Sequence, residues 1–154
     1  MEPRVKSEAD PDVIAAIGLL NRAIHSAGVD PLVLELVHLR ASQVNGCSPC
    51  VFAGVAAAKK RGETDERLHN VVAWRETPFY TDRERAALEW TESLTLVSQT
   101  HVPDEVYESV KQYFSEKEIV DLSILVSVIN VWNRLAISTR TLPGTYKAQQ
   151  AAAS

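Results

Sequence analysis

Glu35-Leu-Val-His-Leu-Arg-Ala-Ser-Gln-Val-Asn-Gly-Cys47-Ser-Pro-Cys50 decides how the rest of this chain is read. Leu32, Leu36 and Leu39 recur at helical spacing, and Asn45-Gly46 supplies a stop. Ser48-Pro49 then reads as a new helix start, with Ser at the N-cap and Pro at the first helical position. The two cysteines, the only ones in the chain, fall at the joint: Cys47 just outside the new helix and Cys50 in its first turn. Free backbone N–H groups and the positive end of the helix dipole favour a thiolate there. A second thiol three positions away is placed to close a disulfide behind a first reaction. Redox chemistry is the leading reading.

Upstream of this stretch, Asp10-Pro11 opens a helix carrying Val13, Ile14, Ile17, Leu20 and Ile24 that stops near Gly28, and Asp30-Pro31 repeats the start signal. Downstream, the thiol helix runs from about Pro49 to Arg61, with Gly62 as its C′ residue. Thr64-Asp65-Glu66 starts a helix through Leu68, Val71, Val72 and Trp74 that must finish before Pro78. Thr81-Asp-Arg-Glu84 and Ser115-Glu-Lys-Glu118 are capping boxes. The first opens a helix with Ala87, Leu88, Trp90, Leu94 and Val97. Pro103 starts a shorter helix with Val106, Val110 and Phe114.

The second capping box opens the most apolar segment, Ile119 to Ile137. Its length suits a membrane span, but Asp121, Asn130, Asn133 and Arg134 interrupt it at a high cost in lipid. A buried central helix is the better expectation, covered on most sides and in part by another subunit. No alternating strand pattern and no repeat is found. The fold class is therefore all-α, about seven helices, with a flexible arm over 1–9, one domain over 10–140 and a tail over 141–154.

Composition sets bounds. The 154 residues are 45% hydrophobic and 23% charged, enough for one domain with a real core. The net charge is −4 and no basic block is present, so neither nucleic acid nor an anionic membrane is an expected partner. The polar first ten residues do not read as a signal peptide, and a Cys-x-x-Cys pair with no leader fits a cytoplasmic, reducing setting. Zinc is disfavoured: two thiolates need two further ligands, and there is no second Cys pair or His-x₃-His cluster.

Glu35, eleven residues, then Cys47-Ser-Pro-Cys50 in the context Leu-Arg-Ala-Ser-Gln-Val-Asn-Gly resembles the AhpD-like alkylhydroperoxidases of the carboxymuconolactone decarboxylase superfamily. Gly62-Glu-Thr-Asp-Glu-Arg, Thr81-Asp-Arg-Glu-Arg-Ala-Ala-Leu and Ile129-Asn-Val-Trp-Asn-Arg-Leu-Ala-Ile137 extend the likeness over roughly residues 12–140. The resemblance implies a helical subunit assembling as a trimer or hexamer. It implies reduction of organic hydroperoxides by the cysteine pair, without metal or bound organic cofactor, and resetting by a dithiol or thioredoxin-like reductant. It assigns attack on the peroxide to Cys50, disulfide closure to Cys47 and a proton-relay role to Glu35.

The chain departs from the family pattern where Cys-x-x-Cys-x-x-x-His requires an imidazole: that position is Gly54, and a histidine found before the attacking cysteine in some members is Pro49 here. Slow peroxidase turnover is the expectation. His38, one helical turn from Glu35, is a possible substitute base, against the plainer reading of a surface residue. Glu35 itself reads equally as a salt-bridged or solvated carboxylate. Gly54 reads as close approach of a neighbouring helix or as room beside Cys50. His25, His69 and His101 read as surface or packing residues, Trp74 and Trp90 as core or interface aromatics. Asn130, Trp132, Asn133 and Arg134 read as caps or subunit-contact groups. Two competing functions stay open: thiol–disulfide exchange or redox sensing with the same pair, and a non-catalytic oligomeric module.

Overall fold

The computed structural model describes residues 2–5 and 9–144. Among them are eight α-helices and one 3-10 segment, and no strand. They are α1 (Pro11–His25), α2 (Pro31–Val44), α3 (Ser48–Lys60), α4 (Asp65–Asn70), the 3-10 turn Val71–Glu76, α5 (Asp82–Thr95), α6 (Val97–Thr100), α7 (Asp104–Val110) and α8 (Glu116–Thr139). Residues 1, 6–8 and 145–154, which hold parts of the expected arm and tail, lie outside the described residues. Arg4 within the arm donates its backbone N–H to the Thr139 carbonyl at the end of α8 (2.9 Å).

The caps read from sequence are made. Asp10 accepts from the Asp12 N–H and Asp30 from the Leu32 N–H. Both capping boxes are closed in both directions, Thr81 with Glu84 and Ser115 with Glu118. Gly28, Gly46 and Gly62 turn the chain after α1, α2 and α3 with φ of 106°, 67° and 93°, a region that costs residues with a Cβ.

The helix count exceeds seven for two local reasons. Ala73 leaves helical geometry (φ −119°, ψ 31°), so the helix expected over 64–77 divides into α4 and the 3-10 turn. That turn sends Trp74 inward, where its indole N–H donates to Glu92 Oε1 at 2.8 Å. The helix begun at Asp82 is interrupted at Leu96 and continues as α6.

The centre of the fold is α2, where the sequence pointed to the Ile119–Ile137 segment. One face of α2 gives Val33, Leu34, Val37 and Ala41 to the larger core, shared with Ala87 and Trp90 of α5 and with Leu122, Leu125 and Ile129 of α8. Its other face gives Leu36 and Leu39 to a second core with Ala58, Leu68, Val71, Trp74, Tyr80 and Leu88. A helix filled on both sides has no solvent face to mark by polar residues, which is why its weak amphipathicity understated its position. By contrast α8, although long and apolar enough to cross a membrane, is only half buried and leaves Val120, Val131, Leu135 and Ile137 exposed.

Candidate functional site

Cys47 is the N-cap of α3, one residue earlier than the Ser48 expected from sequence. Its N–H donates to the Ser42 carbonyl (3.0 Å) and its carbonyl accepts from the Val51 N–H (2.9 Å), so the residue is fixed to both helices at the joint. Cys50 sits in the first turn, as expected. Cys47 and Cys50 are joined as a disulfide, with Cα atoms 5.3 Å apart. Ala136 of α8 packs beneath the pair. Cys47 is wholly buried, whereas Cys50 keeps 5% of its surface exposed.

A polar lock holds the joint onto α8. The Asn45 side-chain N–H₂ donates to Asn130 Oδ1 (3.0 Å) and to Asn133 Oδ1 (2.8 Å). Asn133 donates onward to Ser42 Oγ (3.2 Å), and Asn130 to the Val126 carbonyl (2.8 Å). Arg134 donates to Asn130 Oδ1 (2.7 Å). Buried amides must be paired, and these pair with each other across two helices. The Asn-Val-Trp-Asn-Arg stretch thus anchors the thiol turn within the subunit.

Toward the far end of α3 from the thiols lies a cluster of ionisable groups. Glu35, 4% exposed, accepts from Arg61 Nε at 2.7 Å and faces His25 Nε2 at 3.8 Å. His25 Nδ1 lies 2.9 Å from the Asn21 carbonyl, a bond that assigns the proton to Nδ1 in the neutral ring. Burial pushes the Glu35 carboxyl up, but the contact with His25 and the hydrogen bond from Arg61 outweigh it and hold the group below its ordinary value. The same Glu35 contact raises His25 against the effect of burial. His38 moves the other way: burial lowers it, and the Glu35 charge restores only part.

His38 is not the surface residue of the plainer reading. It is partly buried, and a Cβ built on Gly54 would lie 3.6 Å from His38 Cδ2 and 3.5 Å from Leu39 Cα. Gly54 therefore marks close approach of α2 to α3, the packing alternative, and the approaching groups are Leu39 and the His38 imidazole. His38 follows Glu35 by about one turn of α2, and Cys50 precedes Gly54 by about one turn of α3.

Sequence singled out Cys47, Cys50, Glu35, His38 and Gly54, read His25 as a surface or packing residue, and did not single out Arg61. Neither carried a local signal: one ends α1, the other is the C-cap of α3, and only the tertiary fold turns both toward Glu35. His69 and His101 are exposed, and Trp74 and Trp90 are core residues. Among the described residues no group of three His, Cys, Asp or Glu side chains is arranged to hold a metal ion.

A cysteine pair at a helix joint, backed by a long apolar helix and an acid–imidazole cluster, defines an all-helical dithiol protein. Residues 11–93 match the model of the carboxymuconolactone decarboxylase family, and the chain belongs to that family. It is 35% identical over 131 residues to the uncharacterized protein YdfG of Bacillus subtilis, covering 85% of this chain and 89% of that one. It is 31% identical over 104 residues to the uncharacterized protein YnjA of Escherichia coli, covering 67% and 56%. A solved structure from Agrobacterium tumefaciens, a protein of unknown function provisionally named as an antioxidant defence protein AhpD, superposes with a TM-score of 0.89 at 32% identity, over 94% of this chain and 99% of that one. The debrominase Bmp8 superposes with a TM-score of 0.79 at 19% identity, over 93% and 76%, a likeness of fold alone.

Proposed function

We propose that the protein is a thiol peroxidase that reduces organic hydroperoxides with Cys50 and Cys47. The carrying observation is the asymmetry of the pair: the sulfurs are within bonding reach, yet only Cys50 retains exposure. That supports attack by Cys50 and resolution by Cys47. The Cys50 thiolate attacks the distal oxygen of the hydroperoxide. An S–O bond forms, the O–O bond breaks, and the alkoxide leaves as the alcohol with one proton. Cys50 is then a sulfenic acid. Cys47 displaces its hydroxyl as water and the disulfide closes. Two thiols have been oxidised and one hydroperoxide reduced. A dithiol, small or thioredoxin-like, returns the pair to thiols by exchange.

The near-complete cover over Cys50 supports a small substrate. The scheme uses no metal or organic cofactor, and a cytoplasmic setting would keep the resting pair reduced. A homo-oligomer, trimer or hexamer, would cover the apolar surface of α8. That surface continues into a groove of about 390 Å³ lined by Leu20, Leu94, Val120, Ile124, Val128 and Val131.

The test is steady-state reduction of cumene hydroperoxide with dithiothreitol as donor. Consumption by the wild type that disappears in Cys50→Ser supports the scheme; equal rates in the two proteins reject it.

A further inference from the structure

We propose that His38 is the general base that takes the thiol proton of Cys50, reaching from α2 to α3 where the two helices close on each other at Gly54. The inference rests on the assignment of Cys50 as the attacking thiol. Cys50 and Gly54 are four residues apart in one helix and so share a face, with Cβ positions about 5–6 Å apart. A side chain at position 54 would project along that face toward the thiol. None is there; Leu39 Cα and the ring of His38 stand 3.5 and 3.6 Å from the point where its Cβ would be. The imidazole on the thiol's own helix face is therefore supplied by the neighbouring helix.

The surroundings suit the task. From α1 comes His25, from α2 Glu35, and from the end of α3 Arg61, so His38 lies beside an ion cluster whose carboxylate is already committed to Arg61. Burial keeps His38 neutral at physiological pH, which is the form able to accept a proton. The transfer balances as Cys50 S–H plus imidazole giving thiolate plus imidazolium. The imidazolium is then stabilised by the Glu35 charge one turn away, and it returns the proton to the departing alkoxide. A carboxylate alone beside the sulfur would raise the thiol pKa, so Glu35 acts through the imidazole, as a positioning residue.

The experiment reads the thiol without any peroxide. Reduced full-length protein is alkylated with iodoacetamide across pH 5–10, and modification at Cys50 is followed by peptide mass. His38→Gln should slow Cys50 alkylation at pH 7 by about tenfold or more and move its inflection to higher pH, whereas His69→Gln, at an exposed position of α4, should leave the inflection within a few tenths of a pH unit. His38→Ala opens a hole beside Gly54, and added imidazole should restore much of the lost rate while pyrrole, of equal size but not basic, should not. An unchanged profile in His38→Gln, or equal rescue by imidazole and pyrrole, overturns the assignment. Since no hydroperoxide is present, a shifted profile in a protein that fails to consume peroxide would sink the peroxidase reading and leave the base in place.

Discussion

Arg61 Nε donates to Glu35 Oε1 at 2.7 Å, and His25 Nε2 faces the same oxygen from the opposite helix at 3.8 Å. The end of α3 and the end of α1 are thereby tied to one buried carboxylate on α2. The tie is sensitive to pH. His25 is raised above its ordinary 6.5 by Glu35, so its contribution to stability is full below pH 6.5 and is lost as pH rises through the raised folded value. Glu35 is held below its ordinary 4.5, so its contribution is full above pH 4.5 and is lost as pH falls through the lowered folded value. The stability difference between wild type and His25→Gln should therefore be largest between pH 4.5 and 6.5 and shrink toward pH 8. Urea unfolding at a series of pH values measures it, and a difference that grows with pH would count against the pair.

Gly54 should accept a methyl group. The nearest atoms to its built Cβ, at 3.5 and 3.6 Å, are in ordinary contact, and its backbone is helical. Gly54→Ala should be neutral to stabilising, by up to about 0.5–1 kcal/mol from helix propensity. A histidine at the same place meets the His38 ring. Gly54→His alone should destabilise, and Gly54→His combined with His38→Ala should recover most of that loss. Thermal melts of the three variants decide this.

Asn133 has no exposure and bonds to both Asn45 and Ser42. Asn133→Leu removes one of the two acceptors of the half-buried Asn45 amide and the donor to the buried Ser42 hydroxyl, at a cost of about 1–3 kcal/mol. Because Asn45 fixes the turn that carries Cys47, the rate of disulfide closure should fall as well. Stability by denaturant titration and closure rate by quenched thiol trapping should drop together; a stability loss with an unchanged closure rate would separate the lock from the joint.

Val131 lies 42% exposed on the apolar flank of α8. If a second copy covers that flank, Val131→Glu should shift sedimentation to smaller species while far-UV circular dichroism stays as in the wild type. An unchanged sedimentation coefficient would place the contact elsewhere.

What the sequence disclosed follows from which signals are local. Helix starts at Asp10-Pro11, Asp30-Pro31, Thr81 and Ser115 are written in adjacent residues and were legible. So was the thiol joint, to within one residue of its cap. The break at Ala73 was not, because it answers to the burial of Trp74 against α5, a contact between distant parts of the chain. The hub position of α2 was hidden for the same reason. Helix α8 looks more central by composition, but its apolar residues are divided between the core and an uncovered flank. Glu35, Cys47 and Cys50 could be found as a spaced motif. His38 could be named but not placed, since its meaning depends on the glycine across the helix seam. His25 and Arg61 needed the fold itself.

In the proposed reaction Cys50 Sγ is the atom a hydroperoxide meets. The most direct measurement uses Cys47→Ser, which cannot close the disulfide, reduced and mixed with one equivalent of cumene hydroperoxide in the presence of dimedone. A dimedone adduct on Cys50, formed in step with loss of the hydroperoxide and release of cumyl alcohol, is the expected result. Hydroperoxide that persists while the Cys50 thiol remains fully titratable would contradict it.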